Sequence, residues 1–323
     1  MKRLAMTALM VASVTAPVSP ALSQKAAYPT KPVRLVGLSA GGQVDTLARM
    51  LGPKLTESWG QPVVIDNRPG AGATLAASTV AKATPDGHTL LLSTVSFVTS
   101  AALYTDLPYD PIRDFAGVTQ IGFTPYVLVV TPALGVHSVK ELIALAKAQP
   151  GKIIFGHSGA GSGSHLAGER LRLAANVKVV QVGFKGLPQL LLEVVTARVH
   201  YCVCALASAL PFIKDGKLLA IAVNTPERSF HLPDVPTLAD TLPGFEKPEG
   251  SIGLLAPAAT PRAVVNHIGR EVVRILNLPD VRERMTNQGF VAAPTTPEEY
   301  DRILRAQIET LSKVVREAGL RAR

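Results

Sequence analysis

Residues 33–49, VRLVGLSAGGQVDTLAR, run from a strand into a helix through a turn with almost no side-chain bulk. Val33, Leu35, Val36 and Leu38 make an apolar strand pattern, Ser39 to Gly42 the turn, and Val44 and Leu47 open a helical period. A helix start of this kind presents N–H groups that lack internal acceptors, at the positive end of the helix dipole, and so suits an anion. Gly41 and Gly42 leave room for a ligand to approach the backbone. A βα turn that binds nothing looks the same, and one copy does not separate the two readings.

A second copy lies at 153–172, IIFGHSGAGSGSHLAGERLR, with a strand at 153–155, a loop at 156–164 and a helix start at 165–172. Two glycine-rich helix starts more than a hundred residues apart can face each other across a cleft.

Outward from these copies, the first 23 residues read as a leader. Lys2 and Arg3 precede an apolar run from Leu4 to Val18, and Ala21-Leu22-Ser23 is a small-x-small cleavage site before Gln24. The expectation is export to a bacterial periplasm with cleavage near Ser23, and no later run is long enough to span a bilayer. Of 323 residues, the 300 that remain exceed one ordinary core, so two domains are expected. A hydrophobic content of 47% with 18% charged residues argues for a well-buried globular chain. The formal charge of +9 is spread among acidic residues without a basic run, which excludes a nucleic-acid site and leaves a mild attraction for anionic solutes. Cys202 and Cys204 in VHYCVC point to one face of a strand, where an i,i+2 bridge would be strained, so both read as reduced, small apolar residues.

The remainder alternates strands and helices, which predicts an α/β fold with sheets flanked by helices. Strands are expected at 62–66, 89–95, 126–131, 178–182, 199–204, 218–223 and 251–256. Helices are expected near 74–82, 187–196 and 207–214. Ser138 with Glu141 forms a capping box for a helix ended by Pro150-Gly151. Thr260-Pro261 and Thr296-Pro297 read as proline-started helices, the second with Glu299 at its third position and running to about 318. Pro53 should kink or end the first helix near Gly52. Residues 225–249, rich in proline and without a clean period, read as a crossing between domains.

Several constellations compete for chemistry. Asp45 stands four residues before Arg49, so a helical ion pair near the dipole's positive end explains both; the alternative is a bond to a ligand amine or hydroxyl. Gly156-His157-Ser158-Gly159-Ala160 nearly spells the nucleophile elbow G-x-S-x-G, with Ala160 in place of the last glycine. A serine hydrolase built on Ser158 would have only Asp240 and His267 to complete a triad, and His267 falls within a helix. Gly70-Ala71-Gly72 and Gly159-Ala160-Gly161 are each half of a dinucleotide fingerprint, and no P-loop lysine follows either. His157 and His165 are read as separated by a loop with no carboxylate or cysteine at ligand spacing, and His165 as a cap or loop brace. No metal and no cofactor is expected.

A set of short markers carries a family resemblance. They are Tyr28-Pro29, Gly41-Gly42-x-x-Asp45, Gly60-Gln61-Pro62-Val63-Val64, Asn67-Arg68-Pro69-Gly70-Ala71-Gly72, Pro85-Asp86-Gly87 and Leu107-Pro108-Tyr109-Asp110. Further along come Gly159-x-Gly161 with His165-Leu166, Lys185-Gly186, and Pro233-Asp234-Val235-Pro236-Thr237. In number and order they make the chain resemble the periplasmic solute receptors of tripartite tricarboxylate transporters, the Bug-type or TctC-like proteins, over essentially the whole mature length. The resemblance implies a two-lobed, Venus-flytrap, type II-like periplasmic-binding-protein fold with mixed sheets flanked by helices. It also implies that the loops at 38–45 and 157–165 pinch one ligand carboxylate with backbone N–H groups, small hydroxyls and bridging waters.

The donors expected on one side are the backbone amides of Gly41, Gly42 and Gln43 with the Ser39 hydroxyl. Facing them are Ser162, Gly163 and Ser164 with the Ser158 hydroxyl, braced by His165. Micromolar binding requires about 8 kcal/mol, within reach of several charge-assisted bonds at roughly 1.5–3 kcal/mol each. Three positions depart from the family pattern. Gly37-Leu38 and Ala40 replace Pro-Phe and a proline, Phe184 replaces a tyrosine, and Cys204 stands where an acidic residue is common. Leu38, Phe184 and Cys204 are thus expected to give a less polar wall.

The expected division places 27–127 with 251–323 in lobe 1 and 128–250 in lobe 2, with hinge crossings at 129–131 and 250–253. The expected function is capture of a small carboxylate by a monomer and its delivery to the transmembrane subunits of a tripartite transporter, without chemistry. A serine hydrolase, or a receptor that signals to a sensor, are the competing readings.

Overall fold

The computed structural model describes residues 28–37, 43–68, 74–104, 106–245 and 251–320. The leader and the first glycine turn, with Leu38, Ser39, Gly41 and Gly42, lie outside the described residues.

The chain opens with β1 (Val33–Gly37), α1 (Gln43–Trp59), β2 (Val63–Asn67), α2 (Thr74–Ala81), β3 (Thr89–Ser93), α3 (Val95–Leu103) and β4 (Phe115–Phe123). It continues through β5 (Tyr126–Val130), α4 (Val139–Ala148), β6 (Ile154–His157), α5 (Gly163–Ala175), β7 (Val180–Gly183), α6 (Leu187–Val195), β8 (Tyr201–Ala205), α7 (Leu206–Lys214) and β9 (Leu219–Asn224). It closes with β10 (Ser251–Pro257), α8 (Arg262–Leu276), α9 (Pro279–Asn287), β11 (Val291–Ala292) and α10 (Pro297–Glu317).

These strands form two mixed sheets, ordered β11-β4-β10-β3-β1-β2 and β7-β6-β8-β5-β9. In the first, β1 is parallel to β2 and β3, and β10 runs antiparallel to β3 and β4. The C-terminal ends of β1 to β4 therefore share one edge with the start of β10. In the second, β6 is parallel to β7 and β8, and β5 is antiparallel to β8 and β9. The ends of β6 to β9 share an edge with the start of β5. Only Thr124 and Pro125 separate β4 from β5, so the two edges face each other across the crossing. That is where ligands of open α/β sheets bind.

Each sheet is covered on both faces. Leu35, Leu47 and Ile268 pack on one side of the first sheet, and Leu91, Phe97 and Tyr300 on the other. Phe155, Leu171 and Val203 lie on one side of the second, and Val129, Leu190 and Cys202 on the other. The helix caps follow the sequence. Ser138 Oγ accepts from Glu141 N at 3.2 Å, and Thr296 Oγ1 from Glu299 N at 3.2 Å.

Several expectations change. Pro53 does not end α1, which runs unbroken to Trp59. Its cost of about 3 kcal/mol is outweighed because Met50, Leu51 and Leu55 on either side are buried in the core, each contributing roughly 1.5–3 kcal/mol. The first crossing falls at Thr124-Pro125, not at 129–131, because Tyr126–Val130 is an inner strand of the second sheet. Residues 225–245 do not cross. Thr237 pairs beside Val223, and Leu238, Leu242 and Phe245 belong to the second sheet's core. The strand expected to 95 stops at Ser93, where Thr94 caps α3 by accepting from Ser96 N at 3.1 Å. The 260–261 helix starts at Arg262, with Pro261 in the cap position. β4, α3, α9 and β11 had no clear sequence signal. The apolar and small residues of FAGVTQIGF give β4 no alternation because both of its faces are buried.

Candidate functional site

The site is built around the start of α5, at the edge of the second sheet. Gly159 and Gly161 take φ of 124° and 73°, conformations that fold the chain back sharply between β6 and the helix. Ser162 then caps α5, its Oγ accepting from His165 N at 3.2 Å. Ser164 Oγ accepts from Ser158 N at 2.9 Å and lies 2.8 Å from Ser158 Oγ and 3.0 Å from Ser162 Oγ. Three hydroxyls joined by two contacts leave one hydroxyl proton free to donate elsewhere. Ser158 and Ser162 are half-buried while Ser164 is buried, so that proton belongs at the open face. Gly163 and Ser164 supply N–H groups that no helical carbonyl meets. The cradle is donor-rich and carries no formal charge of its own, a chemistry that suits an anion.

The structure brings Ser158, Ser162, Gly163, Ser164 and His165 together. The His157 and His165 rings, expected to be far apart, stack at 4.0 Å with 20° between planes, because the 158–162 turn returns the chain over the end of β6. His165 is the loop brace expected: its Nδ1 accepts from Gly161 N at 3.0 Å. Burial first, and the neighbouring ring second, push the His157 pKa below its ordinary value; burial does the same to His165. Phe184 adjoins this loop, donating its N–H to His157 O at 2.9 Å with its ring half-buried.

Cys204 is not brought to the surface of the cleft. It is fully buried among Val127, Leu190 and Cys202. Neither cysteine is bridged, and the contact with Cys204 together with burial pushes the Cys202 thiol up.

On the facing edge of the first sheet, α1 begins at Gln43. Asp45 is buried in its first turn, and its carboxylate accepts from Arg49 Nε at 2.9 Å and from Asn67 Nδ2 at 2.7 Å. It ties α1 to the end of β2, and the ion-pair reading of its spacing is the one observed.

The residues required for a hydrolase do not converge. Ser158 is bonded to Ser164, Asp240 accepts from Thr237 N at 2.9 Å, and His267 rests on the Tyr28 ring with centroids 5.7 Å apart. Among the described residues no three His, Cys, Asp or Glu side chains group as a metal site, and no helix is long and apolar enough to cross a membrane.

Two residues at this edge escaped sequence reading. Tyr126 starts β5 beside Gly163, where it confines the first residue of α5. Asn224 ends β9 opposite Tyr126, is buried, and neither polar atom of its amide has a partner among the described residues. A polar residue closing the apolar run LAIAV was its only signal. A cavity of about 740 Å³ lies between α5 and α10, lined by residues that include Gly163, Leu166, Arg170, Arg302 and Ile303. It touches the serine cradle only at Gly163.

Two α/β lobes, each a mixed sheet flanked by helices, with their sheet edges turned toward the crossing between them, define the architecture of a periplasmic solute-binding protein. A profile of the tripartite tricarboxylate transporter family receptor matches residues 47–320. Protein BugT of Bordetella pertussis is 32% identical over 316 residues, spanning 96% of this chain and 95% of its own. The R. palustris protein Rpa4515, solved with adipate, superposes with a TM-score of 0.75 at 33% identity, covering 91% of this chain and 99% of that one. MatC of Rhodopseudomonas palustris, with bound malate, gives 0.70 at 31% identity, covering 89% and 100%. The chain belongs to the tripartite tricarboxylate transporter receptor family, the family of the Bug proteins.

Proposed function

We propose that this protein is a periplasmic receptor that captures a small carboxylate between its lobes and delivers it, as a monomer, to the transmembrane subunits of a tripartite transporter. The observation that carries this reading is the cradle at the start of α5. Ser158, Ser162 and Ser164 are wired to one another with one hydroxyl proton to spare, beside the first N–H groups of α5. One ligand carboxylate spans the two helix starts, held on the far side by the amides of Gly41, Gly42 and Gln43. Lobe 1 combines the strands before Thr124 with 251–323, and lobe 2 takes the intervening chain. Adipate and malate, the ligands of two similar structures, are the natural first probes.

Titration calorimetry of ligand-stripped, refolded protein with both acids tests the reading. Saturable one-to-one binding near micromolar dissociation constants, about 8 kcal/mol, is expected for at least one mono- or dicarboxylate. A folded protein that binds no carboxylate, or one that turns over an ester and is labelled at Ser158 by a fluorophosphonate, would overturn it.

A further inference from the structure

Beneath the serine cradle runs a polar chain, buried at Glu169 and His165 and reaching the surface at Gln181, that carboxylate capture by the cradle does not itself use. Arg172 Nε and Nη2 donate to the Glu169 carboxylate, both at 2.9 Å, and Gln181 Nε2 donates to Glu169 Oε1 at 2.6 Å. The carboxylate can only accept, so the Gln181 amide is oriented with its nitrogen toward Glu169 and its Oε1 toward His165. That oxygen lies 3.2 Å from His165 Nε2 and can only accept, so Nε2 carries the ring proton. At the other end of the ring, Gly161 N–H requires a bare Nδ1, and it points there at 3.0 Å. Two constraints from opposite ends select one tautomer. Glu169 is fully buried and His165 is 4% exposed, while Gln181, on the outer strand β7, is exposed.

We propose that His165 is a positioning residue for the ligand loop: its neutral Nε2–H form, selected by the Arg172–Glu169–Gln181 chain, holds Gly161 N–H inward and keeps the 158–162 turn in its carboxylate-receiving shape. The proposal rests on the receptor reading above. Its consequence is a proton gate. A second proton on His165 would sit on Nδ1, against the Gly161 N–H, and the turn must then release.

The groups that meet or act on the ring are His157 on β6, stacked at 4.0 Å, Gln181 on β7 and Glu169 on α5 itself, with Arg172 on α5 and Tyr201 on β8 next to Glu169 behind them. The Gln181 bond and the Glu169 charge favour a second proton on His165, and burial outweighs both. Burial keeps His165 neutral at neutral pH, and the gate opens only in acid.

Nitrogen-15 NMR of the histidine rings and the Gly161 amide tests the relay without any ligand. The expected result at neutral pH is a bare Nδ1 and a protonated Nε2 on His165, with the Gly161 amide shift following the ring's titration below about pH 6.5. An Nδ1–H tautomer, an imidazolium at neutral pH, or a Gly161 amide indifferent to the titration would overturn the proposal. Gln181→Leu removes the acceptor for Nε2–H and should let the other tautomer appear; an unchanged tautomer counts against the relay.

Calorimetry with adipate or malate then reads the gate. His165→Asn keeps an acceptor for Gly161 N–H but does not titrate, so each protein is compared with its own affinity at neutral pH. Wild type should lose about tenfold more affinity than His165→Asn on acidification, a difference of about 1.4 kcal/mol. Identical pH profiles for the two proteins would sink the gate. If neither acid binds wild type at any pH, it is the ligand reading that fails, and the NMR titration alone decides the relay.

Discussion

Gly163 and Tyr126 stand so close that a β-carbon on Gly163 would overlap the Tyr126 phenolic oxygen, while Val95 Cγ1 lies 3.6 Å from the same point. The first residue of α5 is thus clamped between its own sheet and α3 of the opposite lobe. Even Gly163→Ala must push Tyr126 aside or hold the lobes apart. We expect it to weaken adipate or malate binding at least tenfold, about 1.4 kcal/mol, and Gly163→Val to remove it, with circular dichroism unchanged. Lys185→Ala, at an exposed position, should change affinity far less. Gly42→Val should likewise remove binding if the amides of Gly41 and Gly42 hold the carboxylate as proposed. Normal binding by both valine variants, with loss in Lys185→Ala, would place the anion on side-chain charge instead.

Ser164 is the centre of the hydroxyl wiring, and Ser158 is one of its ends. Ser164→Ala leaves Ser158 N–H without its acceptor and frees both remaining hydroxyls, and should cost about 1–3 kcal/mol of binding or stability. Ser158→Ala removes only one end and should cost less. Calorimetry and thermal melts on the two variants give the order, and a larger effect at Ser158 would contradict this wiring.

Asp45 bonds both Arg49 and Asn67 from a buried position. Asp45→Ala strands the Asn67 amide at the end of β2, and should destabilise the protein by about 1–3 kcal/mol in urea unfolding. Arg49→Ala, removing an exposed partner, should cost much less. Equal losses would mean that the ion pair, and not the tie to β2, is what Asp45 is for.

His157, His165 and His200 all have pKa values lowered by burial. The unfolded chain therefore binds more protons than the folded one once pH falls below about 6.5. Stability should be flat above that point and fall from there down to the folded pKa values. Asp66 and Asp110 have lowered values and add a further loss only in the lower carboxylate range, the first cause being the Arg34 bond at Asp66 and the Arg113 backbone bond at Asp110. Melting temperatures recorded between pH 7.5 and 5 check this. A decline confined to the carboxylate range would show that the histidines do not contribute.

Leu166 on α5 is buried in a cluster with Phe97 and Tyr300 of the first lobe, and a β-carbon on Gly289 would overlap Ala207 at the start of α7. Both contacts join the lobes and should tighten when ligand bridges them. Solution scattering should show a smaller radius of gyration on saturation, and Gly289→Ala should reduce the change. An unchanged radius with tightly bound ligand would mean a rigid pocket.

What the sequence determined by itself is local. The βα turns, the Ser138 and Thr296 caps and the strand–loop–helix order at 153–172 depend on residues within a few positions of one another, whose steric and hydrogen-bonding preferences act before any fold exists. The gathering of Ser158, Ser162, Gly163 and Ser164 at one helix start was legible for that reason. The tertiary structure decided what depends on register between distant strands. The stacking of His157 on His165, the reach of Gln181 to Glu169, the approach of Tyr126 to Gly163 and the burial of Asn224 follow from how β5 to β9 align. Cys204 shows the converse: both faces of β8 are covered, and packing against α6 and α7 shuts Cys204 away from the cleft. Pro53 makes the same point in energy, since a local penalty fixed in the sequence was outweighed by side chains buried against a sheet that the sequence of α1 does not contain.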